Sequence, residues 1–175
     1  MSENSAPPSL NKFQIFAVWI ILLGALAWVF SGVLSRQNNP NSELEIINTN
    51  DGGVEIVLKR NKAGHYLSSG YINGHPVEFL LDTGATDISV PATLADSLEL
   101  EPGQPALYQT ANGTVTVFLT NIKSVELGPI EMRNVRASIN PGFQGTEILL
   151  GMSFLKHLQM VQKGEFLRIS FPVAG

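Results

Sequence analysis

Apolar and polar residues are unevenly distributed along the 175-residue chain. No charged side chain lies between Lys12 and Arg36, and residues 13–35 read FQIFAVWIILLGALAWVFSGVLS. A spanning helix needs roughly 20 mostly apolar residues at about 1.5 Å rise each, and this run is long enough. A cleaved signal peptide competes with that reading. Its apolar region extends for only about 7–15 residues, and the Ala25-Leu26-Ala27 triplet lies inside the run here, not after it. The pattern therefore predicts a single uncleaved transmembrane helix over 13–35, preceded by an N-terminal tail over 1–12. Lys12 and Arg36 balance the positive-inside rule. The short tail and the long remainder place the tail in the cytoplasm and the domain outside, in the periplasm at a bacterial inner membrane.

Residues 36–53, RQNNPNSELEIINTNDGG, are rich in Asn, Ser, Gly and Pro and read as a linker with one short strand at LEII. From Val54 the pattern changes to period two. In VEIVLKR, Val54, Ile56 and Leu58 alternate with Glu55, Val57 and Lys59, as in a half-buried strand. HYLSSGYI and HPVEFLL flank Asn73-Gly74, a hairpin signal because both turn positions need positive φ. Pro76 belongs at a strand start or edge. PATLADSLEL predicts a short helix with Leu94, Leu98 and Leu100 on one face. ALYQT and TVTVFLT form a second hairpin around Ala111-Asn112-Gly113. IKSVELG and IEMRNVRASI are further strands separated at Gly128-Pro129. TEILLGMSFLKHL turns helical after Gly151, and QMVQKGEFLRISF closes as a hairpin turning at Lys163-Gly164. The expected fold is mainly β over 54–175, a small closed β-barrel with one or two short helices.

Composition narrows the chemistry. From Gln37 onward there are nine basic and fourteen acidic residues, and no basic cluster that would suit nucleic acid. The chain has no cysteine, which excludes disulfides and thiolate metal sites. His65, His75 and His157 match no metal-ligand spacing, so no metal and no cofactor is expected. Asn112-Gly113-Thr114 fits a glycosylation sequon, read as a chance match in a turn.

The residues that carry chemistry are in VEFLLDTGATDISVP, 77–91. Phe79, Leu80 and Leu81 lead straight into Asp82. An isolated ionised carboxylate at the end of an apolar strand is costly. Two such groups about 3 Å apart cannot both ionise, so they share one proton and titrate as a unit. Such a pair can draw a proton from water and return one to a carbonyl or a leaving amine. Gly84 permits a sharp turn beneath the carboxyl, and the hydroxyls of Thr83 and Thr86 can hold the loop. Asp82 can equally be a simple strand or turn cap.

LLDTGAT resembles the active-site strand of retropepsin-like aspartic proteases, and EILLGMSFL resembles their apolar-apolar-Gly segment leading into a helix. The resemblance covers about residues 54–171 and includes the order acid loop, hairpin flap, apolar-Gly segment, short helix and final strand. It implies an acid-protease barrel and peptide hydrolysis, with Asp82, Thr83 and Gly84 as the catalytic triplet. Ala85, Thr86, Tyr108, Ala111, Asn112 and Gly113 would contact substrate, the last three at the flap. Tyr108 can point toward the site or be an ordinary strand aromatic. Only one Asp-Thr-Gly is present, and Asp87 and Asp96 lack its context. The second acid is then expected from Asp82 of another copy in a homodimer. Ser153 stands where viral members often carry a charged residue, a departure that bears on the dimer contacts carried by viral subunits and not on the chemistry. The expected function is a membrane-anchored aspartic endopeptidase acting on polypeptides, with limited proteolysis of envelope proteins as its task. The alternatives are a non-catalytic protease-like module for peptide binding or dimerisation, and a fold that stays monomeric until a partner supplies the second half.

Overall fold

The computed structural model describes residues 11–49, 53–110 and 113–171. The chain divides into two units, one ending at Arg36 and one beginning at Gln37. Helix α1 (Lys12–Asn38) starts at a reciprocal cap. Asn11 Oδ1 accepts the Gln14 N–H at 2.8 Å, and Gln14 Oε1 accepts the Asn11 N–H at 2.9 Å. Both backbone donors would otherwise lack partners at a helix start. The stretch Lys12–Gly32 is long and apolar enough to cross a membrane. Its bulky side chains, among them Phe13, Trp19, Ile21 and Trp28, are exposed within this unit.

In the second unit the strands are β1 (Glu45–Asn48), β2 (Val54–Lys59), β3 (Leu67–Ile72), β4 (His75–Leu81), β5 (Ile88–Pro91), β6 (Pro105–Thr110), β7 (Gly113–Leu127), β8 (Ile130–Asn140), β9 (Glu147–Leu150), β10 (Gln159–Lys163) and β11 (Phe166–Ser170). A one-turn helix, α2 (Met152–Leu155), follows β9. The order β1-β2-β11-β10 makes an antiparallel sheet, and β3-β4-β9-β5-β8-β7-β6 makes a larger mixed one. A further pairing of β3 with β7, Tyr71 opposite Glu126 and Ile72 opposite Val125, returns the larger sheet on itself. Closure removes the exposed edges of β3 and β7. Among the described residues, β6 pairs in the sheet with β7 alone. The mainly β, barrel-like architecture is the one the sequence pattern predicts.

Alternation supplies the core. Ile56, Leu58, Ile72, Phe79, Ile122, Val125, Leu127, Ile148 and Leu150 are fully buried, and Phe154 and Leu155 of α2 join them. Each such side chain contributes about 1.5–3 kcal/mol relative to exposure. The Asn73-Gly74 turn has the expected positive φ values, 51° and 80°. Asn73 also bridges the closure. Its N–H donates to Ser124 O at 3.0 Å, its Oδ1 accepts the Ser124 N–H at 3.2 Å, and its Nδ2 donates to Leu98 O at 2.8 Å.

Several local expectations change. The segment 92–98 forms two 3₁₀ turns, Ala92–Leu94 and Asp96–Leu98, in place of a helix. Pro91 is consumed by β5, which leaves too few residues for α-helical propagation. TVTVFLT and IKSVELG are one strand, β7, because Asn121 keeps its place in the ladder opposite Arg136. In the closing hairpin Lys163 pairs with Phe166, so the turn is Gly164-Glu165, with Gly164 at φ 62°. Part of the expected linker belongs to the fold. Asn41 is buried, its Oδ1 accepts the Lys59 N–H at 2.6 Å, and its Nδ2 donates to the carbonyls of Lys59 and Leu67 at 2.9 and 2.6 Å. β1 then pairs with β2.

Asn73→Ala removes the two side-chain bonds at the closure and leaves the Ser124 N–H and the Leu98 carbonyl without those partners. The full chain in detergent should lose about 1–3 kcal/mol of stability, read as a lower urea midpoint with an unchanged slope.

Candidate active site

Asp82 is the first residue past β4 and is half-buried. The strand is fixed on both flanks. Its ladder with β3 places Leu67 opposite Leu80, and its parallel ladder with β9 places Leu81 opposite Leu150. The Asp82 N–H extends the second ladder by donating to Leu150 O at 3.2 Å. Of the carboxylate, Oδ1 accepts the Gly84 N–H at 2.8 Å. The Ala85 N–H closes the turn on Asp82 O at 3.2 Å. Gly84 does not have positive φ. Its value here lies in the approach to the carboxylate, where an added Cβ would come within 3.1 Å of Oδ1. The side chains of Thr83 and Thr86 are exposed, and neither hydroxyl makes a hydrogen bond among the described residues.

The loop rests on the segment after β9. Met152 N–H donates to Ala85 O at 2.8 Å and Ser153 N–H to Thr86 O at 2.9 Å. The Ser153 Oγ accepts the Ile88 N–H at 3.1 Å, so Ser153 has a local task in holding the loop. Gly151 allows this close docking. A Cβ there would stand 2.2 Å from Asp87 O and 2.7 Å from Ala85 O.

A cleft of about 590 Å³ opens over the loop, lined by Asp82, Gly84, Ala85, Thr86 and Asp87 on one side and by Leu107, Tyr108 and Gln109 of β6 on another. Leu149 and Ser138 also contribute to its walls. Thr83 turns instead toward a smaller cavity of about 330 Å³, which also borders Asp82 and is lined mostly by apolar groups such as Leu155, Met160 and Leu167. Of the residues expected to contact substrate, Ala85, Thr86 and Tyr108 line the larger cleft. Gly113 begins β7 at the far end of the hairpin and is not in the lining. Ala111 and Asn112 lie outside the described residues. A cavity of about 630 Å³ elsewhere, bordered by Gly70, Val77 and Leu98, contains no part of the Asp82 loop.

Sequence reasoning missed the role of the second acid in the loop. The side chain of Asp87 is fully shielded from solvent. Its Oδ1 accepts the Arg136 Nε–H at 2.7 Å, and its Oδ2 accepts the Tyr108 hydroxyl. Burial, and then the bond to Asp87 and its charge, push the Tyr108 phenol up to about 12, against the opposing pull of Arg136. Asp87 in turn holds the Arg136 guanidinium more firmly protonated. Asp87, Tyr108 and Arg136 come from a loop, β6 and β8, and no spacing in the chain announces their meeting. Among the described residues, no group of acids and histidines is arranged to hold a metal ion.

Residues 68–157 match the family described as gag-polyprotein putative aspartyl protease. An uncharacterized protein in the cobV 5′ region of Sinorhizobium sp is 29% identical over 83% of this chain and 67% of its own. Uncharacterized protein RP867 of Rickettsia prowazekii is 30% identical over 60% of this chain and 46% of its own, so the chain spans less than half of that relative. In fold, the chain is similar to a retropepsin-like aspartic protease from Rickettsia conorii, with a TM-score of 0.56 and 24% identity, covering 74% of this chain and 93% of that one.

Gly151→Ala should force the loop off its seat and cost about 1–3 kcal/mol. The shift in urea midpoint of the full chain measures it, with Gly24→Ala, whose Cβ meets nothing within 4 Å, as the neutral control.

Proposed function

Since the chain belongs to the gag-polyprotein putative aspartyl protease family and has a retropepsin-like fold, we propose that it is an aspartic endopeptidase whose active form is a homodimer with one Asp82 from each subunit. The observation that carries this reading is the setting of Asp82. Its carboxylate reaches the floor of a cleft large enough for a peptide segment, on a loop tied down by backbone hydrogen bonds. One oxygen is steadied by Gly84.

The state of Asp87 supports taking the second acid from another subunit. Both of its oxygens are occupied, by Arg136 and Tyr108, so it is not free to share a proton with Asp82. Asp96 sits in the second 3₁₀ turn and is exposed. Exposure of Thr83 and Gly84, and the apolar cavity beside them, suit a surface that a second copy covers.

In that dimer the two carboxyls hold one proton between them. The ionised one takes a proton from the water held between them as the water oxygen attacks the scissile carbonyl carbon. The protonated one gives its proton to the carbonyl oxygen, forming a neutral gem-diol. As the diol collapses, one of its hydroxyls gives its proton to the ionised carboxyl, the C–N bond breaks and the leaving nitrogen takes the proton of the other carboxyl, so the pair again holds one proton. No covalent intermediate forms. The hairpin β6–β7 acts as the flap, covering an extended peptide and excluding water. Helix α1 anchors the enzyme as a single-pass membrane protein, with the domain on the periplasmic side of a bacterial inner membrane. Two subunits confined to one bilayer meet at raised local concentration. Limited proteolysis of envelope proteins is the task that this location suits.

Purified full chain in detergent should cleave fluorescein-labelled casein in mildly acidic buffer, and Asp82→Asn should lower the rate at least about a hundredfold while the urea midpoint is kept. A pepstatin-type inhibitor should bind the wild type and not the variant. Undiminished cleavage by Asp82→Asn would reject the assignment of Asp82. The dimer has its own test. When equal amounts of wild-type and Asp82→Asn subunits are co-expressed and mix freely, activity should fall to about a quarter of the all-wild-type value, since only like pairs of wild-type subunits keep two acids. A fall to about one half indicates subunits that act singly.

A further inference from the structure

Among the described residues, the β6 strand lies at the edge of its sheet with β7 as its one partner in the ladder. At the base of the β6–β7 hairpin the chain is held firmly. Gly103 N–H donates to Leu119 O at 2.8 Å, and Leu119 N–H to Gln104 O at 3.0 Å. Toward the tip, the pairs run from Pro105 opposite Phe118 to Thr110 opposite Gly113. Gln109 bonds Thr114 within the hairpin. Such a two-stranded ribbon is marginally stable by itself. The Tyr108 hydroxyl leaves the ribbon and reaches Asp87, in the loop that carries Asp82.

We propose that Asp87 is a positioning residue that latches the hairpin to the floor of the cleft, taking the Tyr108 hydroxyl on one oxygen and the Arg136 guanidinium on the other. The proposal deepens the reading of the cleft as a peptide site and rests on it for its consequence in catalysis. The latch itself stands on geometry. A fully shielded carboxylate is costly without partners, and a charge-assisted bond to a phenol is among the stronger ones available to it. Arg136 bonds the carboxylate and is itself largely exposed, at 64%, so it satisfies the acid from the solvent side without filling the cleft. Tyr108 sits midway along β6. The latch therefore fixes the base of the ribbon, 105–108, over the loop. Tyr108 is also held in place as a wall of the 590 Å³ cleft, so the depth of the cleft near Asp82 is set by a contact that does not touch Asp82.

Hydrogen exchange read by mass spectrometry on the full chain in detergent, without ligand, tests this directly. Tyr108→Phe removes one oxygen and leaves the Asp87–Arg136 pair intact, so the variant is expected to fold. Amides of 106–110 and 113–118 should exchange at least about tenfold faster, while those of β4 and β9 keep their rates. Asp87→Asn in the Tyr108→Phe background should add little further exchange at the hairpin, since one contact is removed twice. Arg136→Lys should keep most of the protection, because a cation remains beside Asp87. On casein, Tyr108→Phe should raise KM more than it lowers kcat. Unchanged hairpin exchange in Tyr108→Phe overturns the latch, as does an increase spread evenly over all strands. The exchange result decides the latch even where casein is not cleaved, and loss of cleavage in Asp82→Asn decides the protease reading whatever the hairpin does.

Discussion

The geometry of the cleft depends on the seating of the Asp82 loop against the residues that follow β9. Two backbone hydrogen bonds, Met152 to Ala85 and Ser153 to Thr86, hold the two segments at a separation that only a residue without a side chain at position 151 allows. A buried backbone group left unpaired costs about as much as a lost hydrogen bond. These contacts therefore fix where the loop lies and, through it, where the carboxylate of Asp82 points. The parallel ladder of β4 and β9 brings the two segments together in the first place. One close approach of main chain to main chain thus links the barrel to the acid.

Much of this was legible in the chain. The turn at Asn73-Gly74 announces itself because few residues accept positive φ at both positions. The alternation in residues 54–59 and the apolar run before Asp82 mark strands, and the short motif LLDTGAT marks the loop. What stayed hidden has a common cause, namely contact between residues far apart in sequence. Nothing local distinguishes Asp87 from a surface aspartate, nor Arg136 from the other outward residues of β8. Forty-nine positions separate them, and only the parallel pairing of β5 with β8 brings them together. Asn41 was similarly opaque. A polar residue in a stretch of Asn, Ser and Pro reads as linker, yet its amide completes the backbone bonding of Lys59 and Leu67. The single long β7 was missed because Asn121 looks like a break, while its neighbours on β8 keep it in register.

The loop uses its two acids in opposite ways. Asp82 is left half-open with one steadying donor, and Asp87 is sealed and fully matched. The five-residue offset lets one turn of chain hold a cleft-facing carboxylate and a sealed one, the second bonded to the hairpin that overhangs the first.

The smaller sheet has an implication for biogenesis. Within it, β2 lies between β1 and β11, and Ile56 faces Ile169 on a strand made roughly 110 residues later. Ribosomes add about 5–20 residues per second, so β2 waits several seconds with one side unmatched. Its apolar segment IVL is sticky in that interval. Completion of the fold is therefore tied to the arrival of the distal hairpin, and a nascent chain stalled before residue 166 would present an open strand to its neighbours.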